Sequence, residues 1–178
     1  MNESVSSVAG QSLNKAIVIF DTRYGNTGKV ARSLASGLNE AGVGTVCVNL
    51  RDVDLGALRN FTLICIGSPT EYFTASRSMR SFLSAFKADR LKGKFGFAFD
   101  SRFESRMSGS ASRFIERSLR RAGAAIIMAS EKALVRGEIG KPDRMVLLPG
   151  EEERFRTIGT RLGKLVQEKI MVEQSVIA

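Results

Sequence analysis

The feature that most constrains this chain is an alternation. Short apolar runs recur along it, and stretches of helical periodicity separate them. Residues 16–20 (AIVIF), 45–50 (TVCVNL), 61–66 (FTLICI), 95–99 (FGFAF) and 124–128 (AAIIM) are the runs, with the fifth resuming near 133–135. A strand with one wet face would alternate polar and apolar residues. Most of these do not, so they read as strands covered on both faces. Between them, residues 27–42 keep Val30, Ala31, Leu34, Ala35 and Leu38 on one side and stop at Gly42. Residues 76–87 present Met79, Phe82, Leu83 and Phe86, residues 111–122 present Phe114, Ile115 and Leu119, and residues 151–171 carry a longer stripe from Phe155 to Ile170. Residues 51–60 allow only a short, weak helix. Strand and helix in alternation predict a parallel α/β sheet with helices on both faces. The 178 residues suit one domain with a full core. Residues 1–14 read as a disordered lead, 15–172 as the single domain and 173–178 as a C-terminal tail.

Sheets of this kind bind ligands beyond the carboxyl ends of their strands. Three polar loops leave those ends, at 22–27, 68–73 and 100–109. The first lies within FDTRYGNTGK, residues 20–29. A Walker A loop would need glycine where Arg23 stands and Ser or Thr where Val30 stands. A dinucleotide fingerprint would need a second glycine where Thr27 stands. What remains is T-x-x-G-N-T: Thr22, Gly25, Asn26 and Thr27. Two hydroxyls, an amide and a run of backbone N–H groups at a helix start can surround a phosphate monoester without a lysine. The plainer alternative is that Asn26 or Thr27 caps the helix.

Other chemistry is excluded by what is absent. The chain has no histidine, the commonest metal ligand and general base, so zinc hydrolases and histidine-based triads are disfavoured. We expect no catalytic acid–base residue and no metal site. Cys47 and Cys65 sit in strand-like runs and read as buried core thiols. No apolar run approaches the ~20 residues that span a bilayer, and residues 1–14 lack the basic start and apolar block of a secretory signal. A cytoplasmic protein is expected. The formal charge is +9, and it is localised: residues 77–144 hold 16 of the 27 basic and 7 of the 18 acidic residues, while the remaining 11 of each cancel.

At this point the motifs resemble a known family. TRYGNT after the first strand is similar to the phosphate loop of flavodoxins. LICIGSPTEYF looks like their second flavin loop, FAFDSRF…SGSASRFIERSLRRAG like a third loop and helix, and LLPGEEERFRTIGTRL like the start of the final helix. Four segments in the right order cover about residues 15–168. The resemblance implies a flavodoxin-like three-layer, doubly wound parallel sheet of five strands, in the order 2-1-3-4-5, with bound flavin mononucleotide (FMN). Carried over by position, Thr22, Arg23, Tyr24, Gly25, Asn26 and Thr27 would hold the phosphate. Pro69, Thr70, Glu71, Tyr72 and Phe73 would line the flavin ring. Asp100, Ser101, Arg102 and Phe103 would flank its other edge, with Ser108 and Gly109 closing the loop. The implied function is electron transfer between redox partners through the flavin. The alternative on the same fold is an FMN-dependent NAD(P)H:quinone-type oxidoreductase, although no nicotinamide motif is visible.

The chain departs from that family in two ways. Flavodoxins that act as mobile carriers are usually acidic; this chain is basic. With the helices after strands 3 and 4 on one sheet face, that face should be positive, and the redox partner acidic, such as a ferredoxin-like protein or a reductase. No groove-reading motif supports nucleic acid. The second loop also has no glycine between Thr70 and Ala75, so a peptide there that needs positive φ is costly. Arg23 and Arg102, if they approach the ring, would favour reduced flavin.

Overall fold

In a computed structural model, residues 15–104, 109–138, 141 and 144–177 are described. The expected lead at 1–14 and the expected loop residue Ser108 lie outside them. The strands are β1 (Lys15–Phe20), β2 (Gly44–Asn49), β3 (Leu63–Glu71), β4 (Thr74–Ala75), β5 (Phe95–Phe103), β6 (Ala125–Ile126), β7 (Glu131–Arg136) and β8 (Val146–Leu147). The α-helices are α1 (Asn26–Glu40), α2 (Arg77–Ser84), α3 (Ala111–Arg121) and α4 (Glu151–Ile177). Residues 51–60 contribute only 3₁₀ turns, Leu50–Asp52 and Leu55–Asn60.

The sheet runs β2-β1-β3-β5-β7-β8. Through β7 the neighbours are parallel, which is the 2-1-3-4-5 order with β5 in the fourth place and β6 and β7 sharing the fifth. Two additions break the all-parallel expectation. β8 lies antiparallel on β7 at the edge, and β4 folds back on the end of β3. The fifth strand is split because five chain steps join Ile126 to Glu131 while their partners on β5, Gly96 and Phe99, are three apart. The surplus residues bulge out of the ladder.

β3 and β5 also run further than their apolar runs suggest. GSPT and DSRF read as loop composition, yet Ser68 pairs with Asp100 and Pro69 with Ser101 in register. Both strands lie inside the sheet, where a neighbour on each side holds the backbone extended whatever the side chains. α4 continues past Met171 to Ile177, since VEQSVI holds neither Gly nor Pro to stop it.

The two sheet faces carry separate cores. Ala16, Val18 and Phe20 of β1 pack with Leu34, Phe155 and Leu162 under α1 and α4. Ile17 and Ile19 pack with Met79, Leu83, Ile115 and Leu119 under α2 and α3. The helices after β3 and β5 therefore do share a face. Cys65 is buried, while Cys47 is only partly so. The two flank Val18 on opposite neighbouring strands. That is two strand spacings, roughly 9–10 Å, beyond the ~7 Å limit for a disulfide. Burial pushes the Cys47 thiol up to about 11 and the Cys65 thiol higher still, so neither is a nucleophile at neutral pH. Among the described residues no helix is long and apolar enough to cross a membrane.

Candidate functional site

The site is built at the carboxyl ends of β1, β3 and β5. β1 ends at Phe20, and the chain turns through Gly25, whose φ of +84° only glycine takes readily. Gly25 is the residue that caps α1, and as a glycine it gives the helix start no side-chain cap bond. α2 and α3 differ: Ser76 accepts from the Met79 amide at 3.2 Å and Ser110 from the Arg113 amide at 3.2 Å. Asn26 and Thr27 do not act as caps. Asn26 Nδ2 donates to the Met145 carbonyl at 2.9 Å, and Thr27 Oγ1 lies 2.7 Å from Ser101 Oγ. These bonds tie α1 to β5 and to the segment before β8. The first-turn amides of Asn26, Thr27 and Gly28 precede Lys29, whose N–H is the first to close the helix, on the Gly25 carbonyl at 3.0 Å. No acidic residue occupies that turn.

Thr22 lies just before this turn. Its Oγ1 is shut away from water and has no hydrogen-bond partner among the described residues. Its amide is bonded to Asp21 Oδ1 at 2.9 Å, and Asp21 is in turn held by Ser76. A buried hydroxyl without a partner is rare in a folded chain. Together with the uncapped helix end it forms a cradle lacking only an acceptor, and a phosphate monoester supplies several.

Beside the cradle opens a cleft of about 290 Å³. From the first loop it takes Thr22, Arg23, Tyr24, Asn26 and Thr27; from the second, all of residues 69–73; from the third, Ser101, Arg102 and Phe103. The three loops converge as the sequence implies. Gly25 contributes its turn rather than a wall. Gly109 lies in an adjoining groove. Val135 and Met145 also line the cleft. Val135 belongs to the resumed fifth run, whereas Met145 comes from a segment with no periodicity to signal it.

Asp100 is not a cleft residue. Its side chain is fully buried and faces the start of α3, where Oδ2 accepts from the Ser112 amide at 2.9 Å. Thr70, from the second loop, accepts from the Ala111 amide at 3.0 Å. Thr70, Asp100 and Ser110 thus satisfy successive amides of α3. Burial raises the Asp100 pKa; the Ser112 amide and the Arg102 guanidinium pull it back only in part. Arg102 Nε sits 3.4 Å from Asp100 Oδ1, and its Nη1 donates to the Gly109 carbonyl. Arg102 is thus a wall of the cleft, tied to the third loop. Arg23 is more exposed, 3.8 Å from Glu71 and stacked 5.4 Å over the Tyr24 ring.

The second loop is a two-residue hairpin. Glu71 pairs with Thr74, leaving Tyr72 and Phe73 at the tip with φ of +44° and +69°. Both φ values are positive, as in the turns that natural hairpins fill with Asn-Gly. The aromatic side chains stand out at 92% and 66% exposure. Phe73 bridges Gly109, and the Phe73 carbonyl accepts from the Ser110 amide at 3.2 Å. A Cβ on Gly109 would lie 2.2 Å from Phe73 Cα, so only glycine allows this approach.

Residues 18–157 match the family model described as Flavodoxin. A flavodoxin from Clostridium saccharobutylicum is 28% identical over 88 residues, 49% of this chain and 55% of that protein. An uncharacterized protein of Methanocaldococcus jannaschii is 32% identical over 92 residues, 49% of this chain but 23% of that protein. The matches thus span about half and about a quarter of these two relatives. Among solved structures, a flavodoxin from the domain Archaea superposes with a TM-score of 0.70 at 23% identity, over 86% of this chain and 99% of the other. Oxidised flavodoxin 1 from Bacillus cereus gives 0.71 at 19% identity, over 85% and 98%. The rubredoxin oxygen:oxidoreductase of Desulfovibrio gigas gives 0.71 at 18% identity, over 88% of this chain and 37% of that one.

Proposed function

The chain belongs to the flavodoxin family, and from that premise we propose that it binds FMN and passes electrons between redox partners through the flavin. The observation that carries the proposal is the buried, unpartnered Thr22 hydroxyl beside the uncapped start of α1. Thr22 Oγ1 and the first-turn amides of α1 would hold the phosphate. The ring would occupy the cleft among Pro69, Phe73, Phe103, Val135 and Met145. When bound, FMN supplies the redox chemistry; the chain supplies binding, orientation and field. With the ring seated, the apolar walls would keep water out of the cleft and strengthen the charge interactions inside it. Tyr72 and Phe73 stand at its rim, where an electron donor or acceptor would come closest. Residence in the cytoplasm goes with this proposal.

The test is direct. The purified chain is mixed with FMN, desalted and examined by absorbance. Retained, stoichiometric flavin with a protein-shifted spectrum is the expected result, and a colourless product would sink the proposal. Multiple turnovers of NAD(P)H with a quinone acceptor, and no partner protein, would instead make the chain a reductase.

A further inference from the structure

The two helical faces of the sheet are charged very differently. α1 and α4 together hold seven basic and six acidic residues. Several of these are paired, Arg156 with Glu40 at 2.7 Å and Arg154 with Glu151 at 2.8 Å. α2 and α3 hold six basic residues and a single acid, Glu116, which Arg120 already engages at 3.0 Å. Among the described residues, Arg113 and Arg117 have no acidic partner, and neither does Lys132 on β7.

Position gives these cations their meaning. Arg113 and Arg117, one helical turn apart on α3, join Lys132 in walling a groove of about 660 Å³. The same groove takes in Phe73, Arg102 and Phe103, which also line the cleft. Glu104 is the only acid on its wall among the described residues. Of the two most exposed aromatic side chains, Phe73 lines both cleft and groove and its neighbour Tyr72 lines the cleft. An exposed aromatic pair bordered by cations has the composition of a protein docking site, an apolar anchor with a charged rim. A small anion would use the cations and leave the aromatic pair in water.

We infer that the redox partner docks over Tyr72 and Phe73 with an acidic face set into the groove walled by Arg113, Arg117 and Lys132. The inference rests on the electron-transfer reading above and adds the side of approach and the residues that would meet an acidic partner. Rim charges of this kind steer encounter and make binding depend on salt.

The probe is an acidic [2Fe–2S] ferredoxin titrated calorimetrically into the full chain with FMN present, at low and high ionic strength. Replacing Arg113, Arg117 and Lys132 together by Glu is expected to weaken binding at least about tenfold at low salt, with the gap closing at high salt. The control reverses the same number of charges on α4, at the exposed residues Arg161, Lys164 and Lys169, and is expected to leave affinity within about threefold. Should the triple reversal lose its fold by circular dichroism, Arg113→Gln with Arg117→Gln is used, both side chains being exposed. Equal losses in the two sets would reduce the effect to net charge and overturn the site, as would no loss in either. No binding of ferredoxin to the unaltered chain would overturn the docking surface, and heat from citrate alone would make the groove a small-anion site. The heat of association does not require flavin, so a chain that fails to hold FMN refutes the earlier reading while the same titration still decides this one.

Discussion

At the scale of the residue, Thr22 carries the sharpest prediction. Burying a hydroxyl without a partner costs about 1–3 kcal/mol, whereas a hydrogen bond to a charged group contributes about 1.5–3 kcal/mol. Thr22→Val keeps the shape and removes the hydroxyl. Without FMN the variant should unfold in urea at the same or a higher midpoint. Its FMN affinity, read by flavin fluorescence quenching, should fall by about tenfold to a hundredfold. A variant that lost stability and kept affinity would make Thr22 a packing residue. Tyr72 and Phe73 pose the opposite case, strain held in place. Positive φ in residues with a Cβ costs roughly 1–2 kcal/mol each, and neither ring recovers that by burial. Changing Tyr72 to Asn and Phe73 to Gly together should raise stability by about 1–2 kcal/mol and weaken FMN binding, because the ring loses its aromatic cover. Unchanged or lower stability in urea unfolding would mean that the tip is not strained. The lack of glycine between Thr70 and Ala75 is plain in the sequence. That both aromatic residues nonetheless adopt positive φ is not, because the β3–β4 pairing and the contact with Gly109 impose it.

At the scale of the element, α1 and α4 meet through glycine. A Cβ on Gly37 would lie 1.9 Å from the Arg156 carbonyl oxygen, and one on Gly159 2.2 Å from that of Leu34. Gly37→Ala or Gly159→Ala must therefore part the helices, at a cost of about 1–3 kcal/mol or more. Gly44→Ala, with nothing within 4 Å, should be neutral; thermal unfolding of the three separates contact from mere loss of glycine. At the start of α3, Asp100 links folding to pH. Its pKa is raised in the folded state, mainly by burial, so the folded chain holds that proton more tightly than the unfolded one. The stability Asp100 contributes is therefore present at low pH and declines as pH rises from the unfolded value of about 3.9 through the raised one. Asp100→Asn cannot titrate, so its stability relative to wild type should grow across that window; urea midpoints at about pH 4 and about pH 7 that differ equally in both proteins would refute the linkage. How far the elements were legible follows from the same physics. The apolar runs identified the parallel core, since strands buried on both faces must be apolar. The polar ends of β3 and β5 were hidden, because sheet neighbours rather than side chains extend them. The split fifth strand and β8 were hidden too, because a bulge and a two-residue edge pairing leave no period to read. Asp100 was legible as a polar residue at the right strand end, but only the direction of its side chain distinguishes a helix cap from a cleft wall.

At the scale of the whole molecule, the question is what a chain of formal charge +9 does to a flavin in its cleft. Reduction adds negative charge there, so nearby cations favour the reduced form and raise the potential. Distance and screening decide which of them count. Exposed cations on α2 and α3 act through solvent and fade beyond a Debye length, ~10 Å at 0.1 M salt. Arg23 is 58% exposed and already near Glu71, so its field is largely spent at the cleft mouth. Arg102 is only 20% exposed and is part of the wall. Its partner Asp100 is buried behind it and does not line the cleft, so the flavin would face the positive end of the pair. The two-electron potential should therefore be less negative than that of an acidic flavodoxin, and the excess should divide into two parts. One part should shrink as salt rises, and it belongs to the helical face. The other should persist at high salt and vanish in Arg102→Ala, where a change of ~1 kcal/mol corresponds to roughly 20 mV for two electrons. Potentiometric titration of both proteins at two salt concentrations separates them. If Arg102→Ala moves FMN affinity but leaves the potential where it was, the guanidinium serves the Gly109 carbonyl and the loop it closes, and the field in the cleft comes from the surface alone.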